Sequence, residues 1–102
     1  MTEPAVIALE GELDLHAARA LAPRLSDAAG ADYAHLILDL SDVTLLDSTA
    51  LGAIVQVQFR FNRQGRTLSV VAPNGSAAAV MLDLSGLRSR FSVFASREAA
   101  VA

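Results

Sequence analysis

The chain has 102 residues, 53% of them hydrophobic, and carries a net charge of −3 with eight arginines and no lysine. That makes one domain, residues 1–102, with enough apolar mass to fold around its own core, and with no cysteine it excludes disulfide, thiol-based, zinc-ribbon and iron–sulfur chemistry. There is no basic excess for nucleic acid, no apolar run near the ~18–20 residues that cross a bilayer, and no basic leader ahead of an apolar one, so a cytoplasmic protein without direct membrane insertion is expected.

The elements read in chain order as follows. Ala5–Leu9 is a strand, stopped by the turn-like Glu10-Gly11-Glu12. Asp14 caps a helix that runs through Leu21 and Leu25, an i, i+4 buried pair, and ends near Gly30. Leu36–Leu40 is a nearly continuous apolar run, the pattern of a strand covered on both faces, and Val43, Leu45 and Leu46 extend it. Asp47, Ser48 and Thr49 are three successive cap candidates before a helix from about Thr49 to Gln64, with Gly65 as its stop. Thr67–Val71 is a strand broken by Pro73-Asn74-Gly75. Ala77–Leu84 is an Ala-rich helix that stops near Ser85-Gly86. Phe91–Phe94 is a short last strand, and Ser96 caps a final helix of Arg97–Val101. The alternation β-α-β-α-β-α-β-α predicts an α/β sandwich: a mostly parallel four-stranded sheet with helices packed on it.

Chemistry has few places to reside. Gly52 stands outside any G-x-G-x-x-G or P-loop pattern, so no nucleotide or other cofactor is expected. His16 and His35 lie far apart with no metal-ligand spacing, so no metal is expected either. The segment Leu45–Gly52 is the informative one: a buried strand runs into an acid and two hydroxyls at a helix start. Helix dipole and free amides there tolerate an added negative group, so a phosphoryl group on Ser48 or Thr49 is accommodated, adding roughly −1.5 to −2 charge beside Asp47. The plain alternative is an ordinary helix cap. A serine nucleophile lacks a placed base and the G-x-S-x-G context, so no enzyme is expected.

Three segments in order resemble the STAS domain family of sulphate transporters and anti-sigma factor antagonists. They are Gly11-Glu12-Leu13-Asp14, the strand and signature from Leu36 to Gly52, and Leu82-Asp83-Leu84-Ser85-Gly86-Leu87. The resemblance implies a regulatory binding module of the anti-sigma factor antagonist type. Unphosphorylated, such a module binds an anti-sigma factor that is itself a serine-protein kinase and so releases a sigma factor. Phosphorylation switches binding off, and a PP2C-type phosphatase reverses it. Carried onto this chain, the phosphoacceptor is Thr49, with Ser48 as the runner-up, and the docking surface includes Asp14, Asp47, Ser48, Ala50, Leu51 and Gly52. The alternative within the family is a small STAS subunit of an ABC-type lipid transport complex that grips its ATPase. Two departures from the family pattern bear on this. Ala50 replaces the usual glycine, and its methyl group is expected to hinder a kinase's approach. The family's N-terminal strand is short or missing, since only four residues precede Ala5, and the sheet edge this leaves allows a homodimer.

Other residues carry weaker readings. Val57 or Phe61 on the second helix either meets a partner or packs on the sheet. Arg60, Arg63 and Arg66 form an anion-binding face or solvate the helix. His16 is read as a solvated residue, His35 as the exposed end of a strand, and Met81 as core.

Overall fold

A computed structural model describes residues 4–30 and 34–101. Four strands, β1 (Ala5–Leu13), β2 (His35–Leu46), β3 (Thr67–Val71) and β4 (Ser92–Phe94), form one sheet in the order β1-β2-β3-β4, every pair parallel. The connecting segments are α1 (Leu15–Gly30), α2 (Ser48–Arg63) and α3 (Ala77–Ser85), and α4 (Arg97–Val101) follows β4. A short 3₁₀ turn at Arg88–Arg90 leads into β4.

Strand alternation sorts the core into two clusters. Leu36, Leu38 and Leu40 of β2 and Leu68 and Val70 of β3 face the larger one, with Leu21 and Leu25 of α1, Ile54 and Phe61 of α2, and Leu82 of α3. Ile37 and Val71 face the other way and meet Ala100 of α4. The uninterrupted apolar run of β2 is therefore covered on both faces, as its composition requires.

One expectation is corrected here. Glu10-Gly11-Glu12 does not end the first strand. β1 continues to Leu13, with register shifts between Ala8 and Glu10 and between Gly11 and Glu12. Gly11 sits at φ 77°, a left-handed value that glycine adopts freely, and at both shifts the extra residue lies on β2: Ala8 to Glu10 runs opposite Asp39 to Asp42, and Gly11 to Glu12 opposite Val43 to Leu45. The acids and glycine that signal a turn in sequence are strand residues in the fold, paired opposite two bulges of β2. β4 also begins one residue later than expected, because Phe91 closes the 3₁₀ turn. The stretch that would carry the family's additional strand lies outside the described residues. Among those described, β1 is a sheet edge.

Among the described residues, the second face of the sheet holds one buried charge. Asp39 of β2 accepts at Oδ1 from the hydroxyl of Ser41 (2.6 Å) and its backbone N–H (3.0 Å), and at Oδ2 from Nε of Arg97 on α4 (2.5 Å). Burial alone pushes this carboxyl up. Donation by Ser41 and Arg97 outweighs it and holds Asp39 below the ordinary 3.8. Because the folded value is the lower one, this stabilisation is complete above the unfolded value and is lost as pH falls through the folded one. Arg97 is half exposed, so Arg97→Ala should cost only about 1 kcal/mol at pH 7. Urea unfolding of both proteins at neutral and acid pH checks this: the gap should narrow as Asp39 protonates. A gap unchanged with pH would assign Arg97 a packing role instead.

Candidate functional site

β1 and β2 end in register, Leu13 beside Leu46. The next residue of each chain segment is an aspartate, and each begins a helix. Asp14 accepts from the backbone N–H of Ala17 (2.9 Å), and Asp47 accepts from that of Ala50 (2.9 Å), the same three-residue reach in both. The N–H of Asp47 donates to the carbonyl of Leu13 (3.1 Å), extending the strand pairing by one step and fixing the two helix starts side by side.

Of the three cap candidates, Asp47 takes the role, with extended backbone at φ −86°, ψ 173°. Ser48 and Thr49 are thereby released. They occupy the first turn of α2, both exposed, and neither side chain makes a hydrogen bond among the described residues. The first-turn N–H groups of Ser48 and Thr49 have no intrahelical acceptor. The arrangement presents two free hydroxyls at the positive end of a sixteen-residue helix.

The remaining expected residues divide. Gly52 is exposed, and a Cβ built on it meets nothing within 4 Å. Ala50 and Leu51 are buried and belong to the core, so their reading as docking contacts is corrected. A helix cannot turn every residue of its first two turns outward. The same burial removes the expected hindrance at Ala50, whose methyl group points into the protein and away from anything that approaches Thr49. Val57 and Phe61 are buried too, and Phe59 is the residue of that helix that stands out, 59% exposed. His16 is exposed as expected, and Met81 is only partly buried. His35 is not a free strand end, because its Nε2 pairs with the buried Ser69 hydroxyl at 2.7 Å.

An apolar groove beside the site escaped the sequence reading. Leu45 and Leu46, just before Asp47, face Ala77, Val80, Met81 and Leu84 of α3 across a cavity of about 290 Å³. Leu84 is 79% exposed. The i, i+4 pair Val80 and Leu84 is the signal that could have revealed it, on a helix whose other side packs Ala78, Ala79 and Leu82 inward. Among the described residues no group of three or more acids and histidines is placed to hold a metal ion, and no helix is long and apolar enough to cross a membrane.

A family model for the STAS domain matches residues 2–100. The chain belongs to the STAS domain family. Solved structures extend the match. An anti-sigma factor antagonist from Mycobacterium paratuberculosis is 26% identical, with TM-score 0.85, over 96% of this chain and 85% of that one. SpoIIAA of Bacillus in its phosphorylated form is 22% identical, with TM-score 0.70, over 96% and 88% of the two chains. The STAS domain of a SulP transporter from Vibrio cholerae is 24% identical, with TM-score 0.72, over 97% and 78%. The last two share the fold. In this STAS domain, the segment that resembles the family's signature is the junction of β2 and α2 described above.

The cap geometry yields a stability test. Asp47→Ala should cost about 1 kcal/mol in urea unfolding, and Asp47→Asn only a few tenths, because the amide oxygen still accepts from Ala50. Equal losses would mean that the negative charge, not the hydrogen bond, holds the helix start.

Proposed function

We propose that this protein is an anti-sigma factor antagonist controlled by phosphorylation of Thr49. In its unphosphorylated form it binds an anti-sigma factor of the serine-protein kinase type and frees a sigma factor. The kinase phosphorylates Thr49 and ends the interaction, and a PP2C-type phosphatase restores it. The protein works by binding and carries out no catalysis of its own.

The observation that carries this reading is the division of labour at the start of α2. Asp47 caps the helix, so the Thr49 hydroxyl is exposed and unengaged among the described residues. A phosphoryl group there meets the free first-turn amides and the helix dipole, so it does not unfold the domain. It also adds charge beside Asp47 and Asp14, at the rim of the apolar groove. A partner seated on Leu84 and Val80 would face both repulsion and the cost of desolvating the phosphate. Gly52, one turn beyond Thr49 and open to solvent, supports the same surface. A glycine inside a helix costs about 0.5–1 kcal/mol relative to alanine, and with nothing above it the absent side chain leaves room for a partner's close approach. A second copy of the chain has Ala5–Ala8, ahead of the first register shift, as an edge to pair with.

Pull-down from native-host lysate with wild type, Thr49→Ala and Thr49→Glu tests the reading. Wild type and Thr49→Ala should retain a kinase-fold anti-sigma factor, and Thr49→Glu should lose it. An ABC ATPase retained by all three would transfer the protein to the transporter-subunit class and leave Thr49 a contact residue. Gly52→Ala should raise stability by about 0.5–1 kcal/mol while weakening partner retention; unchanged retention would remove Gly52 from the surface.

A further inference from the structure

Two groups of like charge stand out among the described residues. Glu10, Glu12, Asp14, Asp42 and Asp47 gather where β1 and β2 run into their helices. Arg60 and Arg63 lie in the last turn of α2, and Arg88 and Arg90 lie in the 3₁₀ turn packed beside that helix. Arg88 is engaged by Asp83 at 3.3 Å. Arg60, Arg63 and Arg90 are exposed and have no acidic partner among the described residues.

Between α2 and the 3₁₀ turn lies a cleft of about 310 Å³, lined by Val55, Gln58, Phe59, Asn62, Arg90 and Phe91. Its walls combine three recognition elements. Phe59 offers an aromatic face that is 59% exposed, beside the apolar Val55. Arg90 lines the cleft, and Arg63 stands one turn beyond Phe59 on the same side of the helix. Gln58 supplies an unused acceptor. Its Nε2 donates to the carbonyl of Arg90 at 3.2 Å, which fixes the amide orientation, and its Oε1 is buried without a hydrogen-bond partner. A buried acceptor left unpaired is costly, and a donor that enters the cleft relieves that cost.

We propose that this cleft docks a short acidic segment of a partner protein. The segment sets an apolar side chain against Phe59 and Val55, places carboxylates beside Arg63 and Arg90, and donates a backbone N–H to Oε1 of Gln58. Charge complementarity selects a peptide of this kind. Nucleic acid is the poorer fit: a chain with net charge −3 and no lysine offers too few cations to neutralise a phosphate backbone. The cleft is separate from the Thr49 surface. Thr49 and Phe59 are ten residues apart on one helix, about 15 Å along its axis, so this docking does not depend on the phosphorylation state.

The test begins with a peptide array in which Asp and Glu alternate with Leu, Phe and Ala, beside a matched array with Asn and Gln in place of the acids. The full chain should be retained by the acidic array alone. The best acidic peptide, fluorescein-labelled, is then titrated by anisotropy against wild type, Phe59→Ala, Arg63→Glu combined with Arg90→Glu, and Thr49→Glu, each first checked for a native far-UV circular dichroism spectrum. Affinity should fall at least about tenfold in the first two variants and remain unchanged in Thr49→Glu. In an amide-resolved NMR titration the shifts should centre on the Gln58 side chain, Phe59 and Arg90. Equal retention by both arrays, undiminished affinity in the charge-reversed variant, or shifts centred on Ser48 and Thr49 would each overturn the proposal. Binding of a single-stranded oligonucleotide through the same residues, with no peptide retained, would replace it with a nucleic-acid site.

Discussion

The hydrogen bond from the Asp47 N–H to the Leu13 carbonyl is the constraint from which the site follows. Parallel strands that end in register deliver two chain segments to one edge of the sheet, pointing the same way. Each then needs an acceptor for the free amides of the helix it begins, and each has an aspartate in that place. Two helix dipoles converge, and the two carboxylates neutralise part of their field. Any residue in the first turn of α2 inherits that environment. The exposure of Ser48 and Thr49 is thus a by-product of strand register and capping, and the chemistry proposed for Thr49 requires no structure beyond what the fold already needs.

Behind that edge, β2 sets the architecture. Its first half is buried on both faces, and its second half, from Ser41 onward, is buried on one. α4 covers the first half, and its Arg97 pairs with Asp39, the charge that burial of that face would otherwise penalise. The uncovered second half runs toward the groove and the signature segment. Ser48 and Thr49, which follow it, are exposed, so a change of charge on either lies outside the buried core.

The pattern of elements was legible because apolar runs and cap residues act locally. Asp14 and Ser96 cap the helices assigned to them, Asp47 takes the role from among three candidates, and Ser76 caps α3 in the same way, each reaching an amide three residues on. Facing was less legible. Phe59 and Phe61 both suit a helix, and the sequence reading left Phe61 open to a surface role. Phe61 lies seven residues from Ile54, nearly two whole turns, and shares its buried side, whereas Phe59 is rotated away. Long-range pairs left no trace: Asp39 and Arg97 are 58 residues apart, and nothing in either local context names the other. The end of β1 was misread because glycine with acids signals a turn, whereas here Gly11 takes its left-handed backbone inside a strand that continues opposite the bulges of β2. At the site, Ser48 and Gly52 are exposed and Asp14 and Asp47 partly so, while Ala50 and Leu51, grouped with them by their membership of a motif, are buried. Position within a signature does not fix which way a helical side chain points.

The irregular pairing of β1 bears on how the molecule behaves in a crowded solution. Among the described residues β1 is a sheet edge, and a long straight edge is a template on which further strands add without limit. The two register shifts leave only Ala5–Ala8 as an unbroken run, and beyond it the row of backbone donors and acceptors is bent out of line by Gly11, with Glu10 and Glu12 alongside. A neighbour's strand that begins to pair there meets a kink and two carboxylates within a few residues. The same irregularity that hides the strand's end from a sequence reading acts as a gatekeeper against fibrous growth along the β1 edge.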